Sequence, residues 1–134
     1  MPPARYDRTG RRNMDLLQEY RRAELFFEAG DPAYAAKLLE PIVAAEPGNT
    51  GVRQLLARAY FGAAQLNRAE DQLRAMLVSD PTDHYAHHVL GRTLERLGRP
   101  AEALGHLRLA VAMRAEENAE YSAALRRVEN RVNG

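Results

Sequence analysis

The 134-residue chain contains no cysteine, which excludes disulfide stapling, thiolate metal ligation and a cysteine nucleophile. Tryptophan is also absent, and Lys37 is the only lysine, the remaining basic residues being arginine. We read that skew as genomic codon bias, not as a binding signal. Neither sign of charge prevails: 19 Lys+Arg face 18 Asp+Glu for a formal net charge of +1, which sets nucleic acid aside as the main partner. No run approaches the ~18 consecutive apolar residues of a membrane span. Arg11 and Arg12 form a pair with no apolar stretch behind it, so no export signal is expected. The expected setting is the cytoplasm, away from membrane. G-x-S-x-G, a glycine-rich phosphate loop followed by lysine, and H-E-x-x-H are all missing. Carboxylates are plentiful but fall mostly at outward helical positions, not in buried acid/base pairs. The expectation is therefore no catalysis, no cofactor and no functional metal. With 46% hydrophobic and 28% charged residues, the composition is globular rather than disordered.

What the chain does have is punctuation at a fixed interval. Glu46-Pro47-Gly48-Asn49 and Asp80-Pro81-Thr82-Asp83 share an acid-Pro-x-Asn/Asp shape, and their prolines stand 34 residues apart. The same step relates Gly30, Ala64 and Gly98, then Ala35, Ala69 and Ala103, then Leu39, Leu73 and Leu107. Pro32 and Pro100 are two steps apart, with Leu66 midway. Self-similarity at this period signals stacked copies of one small unit.

Within each period the apolar residues recur at i, i+3, i+4 and i+7, a helical spacing rather than strand alternation. Leu55, Leu56, Ala59, Tyr60 and Ala63 form one such stretch, and Ala69, Leu73, Met76 and Leu77 the next. Short turns at 29–32, 64–67 and 97–100 separate the halves. Asp31 before Pro32 is a strong helix start, because the carboxylate accepts orphan N–H bonds and proline loses nothing at the first helical position. Asn49 and Asp83 are expected to cap the following helices, and Pro47 and Pro81 to stop the preceding ones. These signals predict seven helices, at about 14–29, 32–45, 50–64, 66–79, 84–97, 100–114 and 117–131. Pro41 conflicts locally: it removes the bond to the Lys37 carbonyl and is expected to kink or split the second helix. Residues 1–13 carry four arginines against one aspartate and no periodicity, and are expected to form a flexible basic arm.

The periodic residues resemble the tetratricopeptide repeat (TPR) family, whose helix–turn–helix unit has the pattern W-x2-L-G-x2-Y…A-x3-F…P. Period two matches through Leu56, Ala57 for glycine, Tyr60, Ala69, Leu73 for phenylalanine and Pro81. Period three matches through Leu90, Gly91, Leu94 for tyrosine, Ala103 and Leu107, with Ala115 where the closing proline stands. Period one fits at Ala23, Phe26, Ala35, Leu39 and Pro47, but has Arg22 in the leucine place. Glu19, Arg53 and His87 hold the tryptophan place. The resemblance implies an all-α, right-handed α-solenoid of three repeats, at about 16–49, 50–83 and 84–117, with residues 118–134 as a C-terminal capping helix and tail. Small residues at Ala23, Ala57, Gly91, Ala35, Ala69 and Ala103 suit close helix approach, while Phe26, Tyr60, Leu73, Leu90 and Leu107 fill the space between. In the last helix Ala124, Leu125 and Val128 repeat the places of Leu90, Gly91 and Leu94, and charged residues hold the other face. That is what a solenoid terminus requires.

The resemblance also implies a concave groove lined by the first helix of each pair. Its positions are Leu17, Tyr20, Glu24, Phe27 and Glu28, then Gly51, Gln54, Arg58, Phe61 and Gly62, then Tyr85, His88, Arg92, Glu95 and Arg96. The partner-binding residues expected from this set are Tyr20, Glu24, Phe27, Gln54, Arg58, Phe61, Tyr85, His88, Arg92 and Arg96. Aromatics mixed with arginine and glutamine suit a protein partner's extended peptide or helix, and Arg58 and Arg92 suit an acidic one. Some members of the family clamp a C-terminal carboxylate with lysine, asparagine and arginine. Tyr20, Glu24, Leu55, Tyr85 and Val89 hold those places here, so that clamp is not expected. His84, His87 and His88 stand at i, i+3 and i+4 near Asp80 and Asp83, a spacing at which two imidazoles can reach one ion. His87 falls at a packing position and no third ligand is fixed, so a surface His84/His88 pair without metal is expected; His106 has no visible partner. The expected role is a scaffold or adaptor, monomeric or homodimeric. A self-associating structural subunit is one alternative. A nucleic-acid adaptor using Arg5, Arg8, Arg11 and Arg12 is the other, although the first repeat behind that arm has seven acids against three bases.

Overall fold

Each helix begins and ends where a particular residue makes it. In the computed structural model, residues 13–114 and 116–134 are described, the side chains of residues 13 and 14 excepted. They form α1 (Asn13–Glu28), α2 (Pro32–Ala45), α3 (Thr50–Gly62), α4 (Leu66–Ser79), α5 (His84–Arg96), α6 (Pro100–Met113) and α7 (Ala119–Asn133), with no strand among them. The Asp31 carboxylate accepts from the Tyr34 amide at 3.1 Å, with Pro32 at the first helical position. Asn49 caps α3 through the Val52 amide at 3.2 Å, and Asp83 caps α5 through the Ala86 amide at 3.0 Å. Asn118 does the same for α7, accepting from the Tyr121 amide at 3.1 Å. The seven helices match the sequence reading to within about two residues at each end.

Two boundary expectations change. Asn13, assigned to the arm, opens α1; the rest of that arm, residues 1–12, lies outside the described residues. Pro41 does not split α2, which continues through it to Ala45. Proline removes one bond there, to the carbonyl of exposed Lys37, where water can replace it. The buried residues Leu39, Ile42 and Val43 on either side hold the helix to its neighbours.

The turn that ends each first helix shows why 34-residue equivalents share a residue type. Gly30 and Gly98 have φ of 89° and 76°, and Ala64 has φ of 58°. In the first turn Gly30 donates to the Phe27 carbonyl and Asp31 to that of Phe26; in the third, Gly98 donates to Glu95 and Arg99 to Leu94. This paired return satisfies the last orphan carbonyls of a helix, and it needs a left-handed residue at its centre.

The chain divides into two compact units, one ending at Ala64 and the other running from Gln65 to Gly134. In the first, α1 packs on α2 and α2 on α3, with α1 also reaching α3. Leu16, Ala23, Ala35, Leu39, Ile42, Leu56 and Ala59 are buried there, and the Tyr60 hydroxyl donates to Glu40 at 2.7 Å, tying α3 to α2. In the second, α4 packs on α5, α5 on α6, and α7 on both α6 and α5. Ala69, Leu73, Leu90, Leu94, Ala103, Leu107 and Val128 are buried in it. Gly91 is there because α5 and α6 touch: a Cβ at that position would run into the Leu107 side chain and lie 3.4 Å from the Ala103 carbonyl. Phe26, expected to fill the core, is half-buried, with its ring edge-on to Tyr34 at 4.5 Å between centroids.

Candidate functional site

Tyr20, Glu24 and Phe27 follow one another at i, i+4 and i+7 on α1, as do Gln54, Arg58 and Phe61 on α3. Each set therefore shares one helix face. The first unit brings members of the two sets together. The Arg58 guanidinium lies over the Phe27 ring, 4.8 Å from its centroid, a cation–π contact that contributes about 0.5–1 kcal/mol when exposed. Burial pushes the Tyr20 hydroxyl above its ordinary pKa; Glu24 adds to the rise and Arg58 opposes it. Phe27, Gln54 and Phe61 are half-buried and Arg58 is exposed. The result is a surface of aromatic rings with one cation and one carboxylate among them.

On α5 the second unit places Tyr85 and Arg92 half-buried and Arg96 exposed on one face, but removes His88 from the surface. His88 is 2% exposed. Its ring stacks on Tyr121 of α7 at 4.2 Å and 15°, and neither ring nitrogen has a hydrogen-bond partner. Burial pushes its pKa down to about 4, with Glu120 opposing and Arg92 and Arg127 adding to the fall. Oε1 of exposed Glu120 lies 3.9 Å from His88 Nε2 and 3.7 Å from Arg92 Nη1. Glu95, another expected groove position, is also taken. Both its oxygens accept from Arg127 at 2.7 Å, and its side chain is 10% exposed. Arg127 holds the Glu95 carboxyl below its usual range.

The histidines therefore depart from the surface pair expected of His84 and His88. His84 Nδ1 hydrogen-bonds the Tyr121 hydroxyl at 2.9 Å, and His88 is covered by the same ring. His106, expected to lack a partner, stacks on His87 with the two Nδ1 atoms 3.0 Å apart. His87 Nε2 is 2.8 Å from the Pro81 carbonyl. A carbonyl only accepts, so the bond to Pro81 places a proton on His87 Nε2, and in the neutral ring Nδ1 is then left as the acceptor facing His106 Nδ1. Among the described residues no group of three or more histidines and carboxylates is placed to hold a metal ion, and no helix is long and apolar enough to cross a membrane.

The sequence reading missed Tyr121, Glu120 and Arg127, which shape the α5 surface. A signal for Tyr121 was present: it stands one 34-residue step after His87, in the place that tryptophan holds in the family's pattern. What repeats is thus a packing position, and α7 uses it to seat its ring on α5.

The profile of the tetratricopeptide repeat family matches residues 26–92. No curated protein matches the chain in sequence. Among solved structures, the first TPR domain of Spaghetti (RPAP3) bound to the HSP90 peptide SRMEEVD superposes with a TM-score of 0.81 at 18% identity, covering 89% of this chain and 94% of that one. The Sgt2 TPR domain from Aspergillus fumigatus gives 0.80 at 14% identity, over 89% and 80%. The Yersinia enterocolitica type III secretion chaperone SycD, in complex with a peptide of the translocator YopD, gives 0.79 at 18% identity, over 90% and 96%. At these identities the likeness concerns the fold. With half of its length matched by the family profile and its helices arranged as in these structures, the chain belongs to the tetratricopeptide repeat family.

Proposed function

We propose that the protein is a non-catalytic interaction module, a scaffold or adaptor that binds a peptide or helix of a protein partner. The surfaces used are the α1/α3 face of the first unit and the α5 face of the second. The observation that carries this reading is the cluster of Tyr20, Phe27, Arg58 and Glu24. Rings and a cation share one exposed face there, a chemistry enriched where binding energy concentrates. Two of the similar structures hold peptides, from HSP90 and from YopD, which supports the general mode of binding. The HSP90 ligand chemistry does not carry over, because Tyr20, Glu24, Leu55, Tyr85 and Val89 occupy the clamp places and Leu55 and Val89 are buried. An acidic group on the partner suits the exposed Arg58 guanidinium, which lies over a ring here and whose N–H groups match a carboxylate.

The test is affinity capture from native lysate with the wild-type chain, Arg58→Glu and Arg92→Glu. Partners retained by the wild type should be lost or reduced at least tenfold by Arg58→Glu. Capture indifferent to both reversals rejects the assignment of these faces.

A further inference from the structure

Gly30, Gly91 and Gly98 have a visible reason to be glycine; Gly48, Gly51 and Gly105 do not, and of these Gly51 lines a cleft. Gly30 and Gly98 adopt positive φ, and Gly91 is pressed against Leu107. Gly51 lies in the first turn of α3 with no positive φ, and a Cβ there would meet only Asn49 Oδ1, at an ordinary 3.6 Å. Neither turn nor packing requires glycine at that position, and helix propensity disfavours it by up to about 1 kcal/mol relative to alanine. What the missing side chain does is leave a cleft open. The early turns of α1, the end of α2 and the start of α3 enclose about 330 Å³, and Gly51 is part of the lining. Leu16, Ile42 and Val52 are its buried apolar walls, and Leu17, 52% exposed, is its lip. Glu46 is the only charged residue among the described lining residues; its Oε2 accepts from Asn49 at 3.0 Å, and the side chain is exposed.

We propose that this cleft receives one bulky apolar side chain of the partner peptide, with an adjacent lysine or arginine pairing with Glu46. The proposal rests on the α1/α3 face being the binding surface and names the anchor that the face takes. Shape and charge agree on this occupant. Apolar walls in an open cleft reward a large hydrocarbon group, and the Glu46 carboxylate at the edge rewards a cation beside it and penalises an anion. Gly51 and Arg58 are seven residues apart on α3, about 10 Å along the helix. A peptide lying over the face thus meets an anion-bearing cleft at one end and a cation at the other.

Fluorescence polarisation with the full chain tests this. The probes are fluorescein-labelled ten-residue peptides of Gly/Ser background carrying a central Phe-Arg, Phe-Glu or Ser-Arg pair. Phe-Arg should bind, and each of the other two should bind at least tenfold more weakly. Gly51→Leu, which fills the cleft from a position where a Cβ meets only the Asn49 side chain at an ordinary distance, should weaken Phe-Arg binding at least tenfold while leaving the circular dichroism unchanged. Leu17→Ser, at an exposed lip, should weaken it without touching the core. Equal binding by wild type, Gly51→Leu and Leu17→Ser overturns the proposal, as does equal binding of Phe-Arg and Phe-Glu. Arg58→Glu separates the two readings. If it abolishes peptide binding while Gly51→Leu does not, the face stands and the cleft falls. If lysate capture ignores Arg58→Glu while Gly51→Leu abolishes Phe-Arg binding, the cleft stands and the wider face falls. A Tyr6→Ala variant checks the chain's own first segment, which carries the same chemistry in Arg5-Tyr6. Peptide binding gained only in that variant makes the occupant internal and rejects an external anchor.

Discussion

Ala64 is the only residue other than glycine with positive φ among the described residues, and replacing it isolates the cost of that backbone state. An L-residue in the left-handed region costs roughly 1–2 kcal/mol. Glycine removes that strain but loses about 0.5–1 kcal/mol more conformational entropy on folding. Ala64→Gly should therefore stabilise the fold by about 0.5–1 kcal/mol. The reverse changes, Gly30→Ala and Gly98→Ala, should each destabilise it by a similar amount. No packing term complicates these two, since a Cβ at either glycine meets nothing within 4 Å. For a chain of this length 1 kcal/mol corresponds to about 3–4 °C in Tm. Urea and thermal melts followed by circular dichroism at 222 nm should show Ala64→Gly melting about 2–4 °C above wild type, and both alanine variants melting below it. A neutral or destabilising Ala64→Gly, or a stabilising Gly98→Ala, would refute the reasoning.

Other expectations concern packing and protonation. Gly91→Ala should cost about 1–3 kcal/mol by overpacking, and much less in a Leu107→Ala background, as chemical denaturation of the four-variant cycle will report. Ala69→Leu and Ala103→Leu, both at positions with no exposure, should destabilise within the same range; unchanged melts for both would contradict the 34-residue register. Buried His88 is neutral in the fold, with its pKa depressed from 6.5 to about 4. Its contribution is thus fully present above about pH 6.5 and is lost as pH falls toward about 4, on the order of 3 kcal/mol in all. His106, also lowered by burial, acts in the same direction. His88→Phe should therefore remove part of the acid-side slope of stability against pH, and an unaltered slope would place the titration elsewhere. Arg127→Ala should loosen α7 by about 0.5–1 kcal/mol, the modest figure reflecting a half-exposed arginine, and should raise hydrogen exchange at α7 amides before those of α5.

The helices and turns were legible because their causes are local. A carboxylate or amide before a helix, a proline at its start and a glycine at its end act within a few residues, and all recur at the period. Pro41 does not split α2 because a lost hydrogen bond is a local cost, while the burial of Leu39, Ile42 and Val43 that outweighs it depends on tertiary contact. The candidate site divided along the same line. Tyr20 and Phe27 share a face of α1 that their spacing defines, whereas setting Arg58 of α3 beside them was an expectation from the family resemblance and not from spacing. His88 could not be placed, because its burial is decided by a ring 33 residues later in the chain. The His87–His106 pair likewise depends on how α5 and α6 cross. Gly51 looked like any groove position until the space around it could be measured against what a side chain would touch.

Glu120 has a consequence for recognition at α5. Its carboxylate stands 3.7 Å from Arg92 while remaining 71% exposed, close enough to offset the guanidinium's charge while open to solvent. On the proposal that α5 receives an acidic partner group, Glu120 would be a resident competitor for Arg92, a tethered anion with which an incoming carboxylate would share or exchange the guanidinium. Counting the arginines on α5 would thus overstate its affinity for acidic ligands, because one of them already faces a carboxylate of α7.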